Sequence, residues 1–216
     1  MATPLLARAR ACAAAALVAL TALPLEAQRT FSSLTMFGDS FSDVGNARNL
    51  TFGFLPARFS NGPVWSDVLF SSLNLGTATA AWPVFGFQPA PATGVYAVGG
   101  ATAVGGAVPS TATQISRWCV VSAGNCTRTA DPTGLYTLFV GGNDIRGIAS
   151  NTALTSEQRQ AQTVQVANNI VAQAGQLQGR GVNNLLMMYM PDLGATPDRI
   201  GTAQSAELTS LTNLFN

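Results

Sequence analysis

Apolar residues fall along this chain in two rhythms. Ser33–Phe37 and Leu135–Val140 are short continuous runs, the form of a strand buried on both faces of a parallel sheet. Asn183–Met190, stopped by Pro191, reads the same way, and Val95–Val98 predicts one more short strand. Other segments keep a helical period. Val64–Leu73 follows Pro63, sets Val64, Val68 and Leu69 on one face, and is stopped by Asn74 and Gly76. The strongest helix is Thr155–Gln178: Thr155 caps it, Gln158 completes a capping box, and Gly179 and Gly181 close it. Its apolar stripe is read as Ala161, Val164, Ala167, Ile170, Val171, Ala174 and Leu177. A last helix begins near Ala203. Residues 76–112, rich in Gly, Ala, Thr and Pro, predict an irregular connection. Strands separated by crossover helices imply an α/β fold, a three-layer sandwich whose parallel sheet is flanked by helices and binds ligands at its C-terminal edge.

Composition narrows the picture. The 216 residues suit one domain, and a 47% hydrophobic content supplies a core. Eleven basic residues, all arginine, against ten acidic leave a net charge of +1, which argues against a nucleic-acid binder. Arg8 and Arg10 precede an apolar run from Ala11 to Leu25, and Leu25-Glu26-Ala27 offers a small-residue cleavage site. Residues 1–27 therefore read as a secretory signal, residues 28–216 as the mature domain, and the product as secreted or periplasmic. The run falls short of the roughly 20 residues that a spanning helix needs, so no stable membrane span is expected after cleavage. Cys119 and Cys126 remain in the exported part. They flank a segment able to turn back on itself, and no histidine or further cysteine stands by to complete a metal site. The pair reads as a local disulfide.

The candidate chemistry lies just past the predicted strands. Ser40 follows the first, within Phe37-Gly38-Asp39-Ser40-Phe41-Ser42-Asp43-Val44-Gly45-Asn46. Tyr96-Ala97-Val98-Gly99-Gly100-Ala101-Thr102 follows the short strand, and Gly141-Gly142-Asn143-Asp144 follows Leu135–Val140. All three would open onto one sheet edge. Acyl transfer suits such a set: a serine attacks an ester carbonyl, and the backbone N–H groups of Ser40 and Gly100 with the Asn143 amide meet the charge forming on oxygen. Each has a plainer use, Ser40 as a cap, Asn143 as a turn residue, Gly99-Gly100 as linker. Asp39 is expected to order its turn through backbone hydrogen bonds. Trp82, Phe85 and Phe87 are read as packing over the sheet rather than lining an acyl pocket.

The blocks together resemble the GDSL, or SGNH, ester hydrolases, in their secreted lipase-like branch. The decamer Phe37–Asn46 looks like the first block and carries the nucleophile position at Ser40. Tyr96–Thr102 is similar to the second, with Gly100 in the oxyanion position, and Gly141–Asp144 to the third, with Asn143 as amide donor. Arg58–Trp65 and Met190–Pro197 are similar to recurrent segments of that branch, in the right order. The resemblance implies a small-molecule or lipid ester substrate, acetylated carbohydrate included, with no cofactor and no metal. One departure stands out. The last block, Asp-x-x-His, has no counterpart, and these residues contain no histidine at all. Asp192 and Asp198 thus have no imidazole to orient and are rejected as triad acids. The chain reads as an incomplete hydrolase domain that ends within a helix. The alternative reading is an inactive binding protein that keeps the pocket.

Overall fold

The computed structural model describes residues 30–83, 89–122 and 125–216. Its elements run β1 (Leu34–Gly38), α1 (Asn46–Leu50), α2 (Trp65–Ser72), β2 (Gly94–Val95), α3 (Thr111–Cys119), β3 (Val121–Ser122) and β4 (Asn125–Cys126). They continue as β5 (Leu135–Phe139), α4 (Gly142–Ser150), α5 (Ser156–Gln178), β6 (Asn184–Met187), a 3-10 turn (Leu193–Ala195) and α6 (Ser205–Phe215). The leader reading, residues 1–27, lies outside the described residues, as do Phe85 and Phe87. Residues 31–216 form one compact unit.

Four strands make a wholly parallel sheet in the order β2-β1-β5-β6, with Leu34 opposite Leu135 and Leu135 opposite Asn184. The continuous apolar runs of β1 and β5 are buried along their whole length, as a strand covered on both faces requires. One face is sealed by α3 and α5: Phe37, Tyr96, Tyr136 and Leu138 meet Ile115, Trp118, Ile170 and Leu177. On the other face, Leu34, Met36 and Leu135 pack with Phe70 of α2, and Phe139 packs with Ile145, Leu208 and Leu211 of α4 and α6. The three-layer α/β expectation is met.

β2 has only two residues in regular pairing, yet the chain keeps bonding to β1 beyond it. Tyr96 N–H donates to Met36 O and Val98 N–H to Gly38 O, so the predicted Val95–Val98 segment does follow the sheet. Cys119 and Cys126 are disulfide-bonded around the β3–β4 hairpin.

Three sequence expectations need correction. The stretch 76–112 is not irregular to its end: α3 starts at Thr111, with Ser110 capping it by accepting from Thr113 N–H. The buried stripe of α5 is Thr163, Ile170, Gln173 and Leu177 with Val166 beside them, whereas Val164 and Val171 are exposed. Polar residues take core places through bonds of their own, Thr163 Oγ1 donating to Arg159 O and Gln173 Nε2 to Ala103 O, although Gln173 Oε1 is buried without a partner among the described residues. The third correction concerns β6, read as fully buried. It stands at the sheet edge and exposes Leu186 and Met187, with Met188 and Tyr189 following. An apolar groove of about 320 Å³ runs beside it, bounded by Ile170, Val171, Met187, Tyr189 and Phe215. Among the described residues, no strand pairs with the far side of β6.

Candidate active site

Because β1, β2 and β5 are parallel neighbours, the residues after each emerge at one edge of the sheet. Ser40 sits in the tight turn after β1, where Ser42 and Asp43 N–H both donate to Asp39 O. The turn is braced from the first two residues of α2. Trp65 Nε1 donates to Ser42 Oγ at 3.0 Å, and Ser66 Oγ to Ser42 O at 2.8 Å. Arg58 forks onto Asp67 in the first turn of α2, and Asp67 also accepts from Val64 N–H.

Asn143 stands in the first turn of α4, directly after β5. The bend before it depends on Gly141, whose φ of 126° suits glycine; a side chain there would also meet the Phe215 ring, 2.5 Å from a Cβ. Ser40 and Asn143 line one cavity of about 260 Å³ with Asp39, Phe41, Gly142, Arg146 and Leu193. Asn143 Nδ2 donates to Ala101 O at 2.8 Å. A primary amide has a second hydrogen, so this bond leaves one N–H for another acceptor. Gly100 is not in that lining. It is exposed in the adjoining turn, one residue before the carbonyl that Asn143 holds.

Four side chains from three helices grip the strip after Gly100. Asp144 accepts Ala103 N–H on both oxygens at 3.1 Å, and Ala103 O receives Gln173 Nε2 and Thr111 Oγ1. Asn143 completes the set through Ala101. The strip before Gly100 is held from α1 and the turn that precedes it. Asp43, fully buried, accepts from the N–H groups of Gly45, Asn46, Ala47 and Gly99. Asn46 donates to Val95 O and Ala97 O and accepts from Trp82 N–H. Gln114 pairs with Gly38 in both directions. Asp43, Asn46, Gln114, Asp144 and Gln173 were not singled out from the sequence. Asp43, Asn46 and Asp144 lie within the quoted blocks, which was the available signal, whereas Gln114 and Gln173 offered only a polar residue on a helix face.

Asp39 orders its turn as expected, since Oδ1 accepts from Phe41 N–H at 3.0 Å. Its other oxygen is buried with no hydrogen-bond partner among the described residues. Burial, with Asp144 nearby as a lesser cause, pushes its pKa up to about 7. Burial also raises the Asp144 carboxyl. Neither C-terminal aspartate faces the serine as an orphan charge. Asp192 accepts from Gly194 N–H and Thr209 Oγ1, while Asp198 pairs with Arg146, which holds it below the usual carboxylate range. Trp82 packs against Ala47, Val98 and Ala101, bonds to Tyr96 O and lies under the Arg117 guanidinium. It covers the sheet edge, as read from the sequence.

Comparison with known proteins places these features in a family context. The family profile described as GDSL-like Lipase/Acylhydrolase matches residues 34–216. An uncharacterized protein of the trpE-trpG intergenic region in Pseudomonas putida is 30% identical over 205 residues, 86% of this chain and 33% of that protein. The phosphatidylcholine-sterol acyltransferase of Aeromonas hydrophila is 28% identical over 197 residues, 84% of this chain and 51% of that protein. The chain thus spans a third to a half of the length of these relatives.

Proposed function

Because the chain belongs to the GDSL-like lipase/acylhydrolase family, we propose that it carries the nucleophile side of a secreted serine ester hydrolase. The observation that carries the reading is the shared cavity of Ser40 and Asn143 at the ends of adjacent parallel strands. Ser40 Oγ attacks the acyl carbonyl and its proton leaves to a base. The carbonyl oxygen, now negative, is met by the N–H of Ser40, the N–H of Gly100 and the free amide hydrogen of Asn143. Collapse of the adduct expels the alcohol, and water repeats the sequence on the acyl-serine. The grip on Ala101–Ala103 fits this role, since an oxyanion donor must be in place before charge develops. Acyl esters of lipids or small alcohols, acetylated carbohydrates among them, are the substrate class; the lipid choice has support from the acyltransferase relative. Export through a leader at residues 1–27 agrees with the Cys119–Cys126 disulfide.

A second reading has its own observation. These residues contain no histidine to receive the Ser40 proton. An ester-binding protein without turnover would keep the same pocket. One experiment separates the two. The product of the entire reading frame that encodes these residues is assayed with p-nitrophenyl butyrate beside residues 28–216 alone. Turnover abolished by Ser40→Ala, and lowered roughly 10²–10³-fold in kcat with little change in KM by Asn143→Ala, is the expected result. The 216-residue chain alone should be silent, since losing a triad base or nucleophile costs on the order of 10⁶ in turnover. No hydrolysis by the full product establishes the binding reading. Ordinary esterase rates from residues 28–216 that survive Ser40→Ala sink both.

A further inference from the structure

Gln173 stands where the main core calls for an apolar side chain. Its neighbours on the inner face of α5, Ile170 and Leu177, pack into the cluster of Trp118, Tyr136 and Leu138, and Gln173 itself is 3% exposed. Its amide is only half used. Nε2 donates to Ala103 O at 2.8 Å, across 70 positions of sequence, while Oε1 is buried with no partner among the described residues. A buried acceptor without a donor lowers stability, which offsets much of what the Nε2 bond contributes.

Ala103 O does not need that bond. It already accepts from Thr111 Oγ1 at 3.1 Å and from Ala112 N–H at 3.2 Å, both in the first turn of α3. A carbonyl has two lone pairs, and the two donors from α3 match them. Satisfying the backbone is therefore no reason for an amide here. Filling the core is none either, since methionine would do so without a stranded oxygen. What Gln173 adds is a restraint from a further direction. Asp144 holds Ala103 N–H from α4 with both oxygens, and Asn143, the residue before it and part of the Ser40 cavity wall, holds Ala101 O. The Gln173 bond ties the same strip to α5, a helix of 23 residues.

We propose that Gln173 is a positioning residue for the oxyanion site: through Ala103 it fixes the strip 101–103, and through Ala101 O it fixes the side-chain amide of Asn143. The role rests on the acyl-ester reading of the site. Gln173 touches neither the serine nor the substrate. It acts because a donor displaced by about 1 Å can lower a rate on the order of 10²-fold. The test replaces it by methionine in the product of the entire reading frame, with Gln173→Leu as a second apolar variant. The melting temperature should stay within about 2 °C of wild type or rise, because no stranded oxygen is buried any longer. With p-nitrophenyl butyrate, kcat should fall roughly tenfold or more with KM little changed. In an Asn143→Ala background the same replacement should lower kcat by less than about twofold, since the group that it positions is gone. One readout needs no turnover. In isotope-labelled protein the Asn143 side-chain amide signals should shift, and exchange faster with solvent, in Gln173→Met. The proposal is overturned by an unchanged kcat, by unchanged amide signals, by equal losses in both backgrounds, or by melting temperatures more than about 5 °C lower in both apolar variants. A full product that never hydrolyses ester refutes the hydrolase reading alone, and the amide signals then decide the positioning.

Discussion

Replacing Asp39 with asparagine should change how stability depends on pH more than stability itself. In the unfolded chain the Asp39 carboxyl loses its proton near its ordinary value of 3.8; in the fold it keeps it to about 7. Between those values the folded state binds more protons than the unfolded one, so each upward step in pH subtracts stability. Below 3.8 both states are protonated and nothing changes; above about 7 the loss is complete. The gap corresponds to roughly 4 kcal/mol. Asparagine keeps an oxygen for Phe41 N–H and places an uncharged group where Oδ2 has no partner. It carries no charge to expel from the interior. Urea unfolding of both proteins at several pH values between 4 and 8.5 provides the measurement. Near pH 4 the two should be of similar stability, and by pH 8 the variant should lead by several kcal/mol. Working on the difference removes the opposite slopes from Asp67, Asp131 and Asp198, whose carboxyls are all held low. A difference that stays flat across the range would refute the claim that Asp39 is buried and neutral.

Asp43→Ala leaves four buried N–H groups without an acceptor and should cost about 4 kcal/mol or more in urea unfolding; a change under about 1 kcal/mol would show that water replaces the carboxylate. Gly141→Ala should lower stability by roughly 2 kcal/mol or more, because it strains a positive φ and drives a methyl into Phe215; an unchanged melting temperature would contradict that packing. Residues 28–216 should self-associate through the apolar edge at β6, where Tyr189 is 80% exposed. Met187→Lys/Tyr189→Lys should shift light scattering toward monomer, and equal scattering by both proteins would place the contact elsewhere.

The sheet and the candidate site were legible in the sequence for one reason: short apolar runs ending in Gly-Asp-Ser, Gly-Gly-Ala and Gly-Gly-Asn announce both the strands and what stands at their ends. The scaffolding between them was hidden. α3 has nine residues that follow a Gly, Ala and Thr background, and its cap at Ser110 is one serine among many; its buried face of Thr111, Gln114, Ile115 and Trp118 does keep a helical spacing. α4 begins within Gly141-Gly142, a pair that reads as a turn. On α5, hydrophobicity chose Val164 and Val171 for the core, but Gln173 is buried instead because Ala103 O is there to receive it. The partner of a buried amide is set by tertiary structure, and no local pattern announces it.

The brevity of β2 has a consequence for how the molecule forms. Regular pairing covers two residues, Tyr96 and Val98 add single bonds to β1, and the segment's place also relies on Asn46, which binds Val95 O and Ala97 O, and on Asp43, which binds Gly99 N–H. Asp43 lies in the bend that presents Ser40, and Asn46 opens the helix that follows it. Docking of the outer strand and shaping of the serine bend are therefore one cooperative step. In native-state hydrogen exchange, the amides of Asn46, Ala47 and Gly99 should open together with a common free energy.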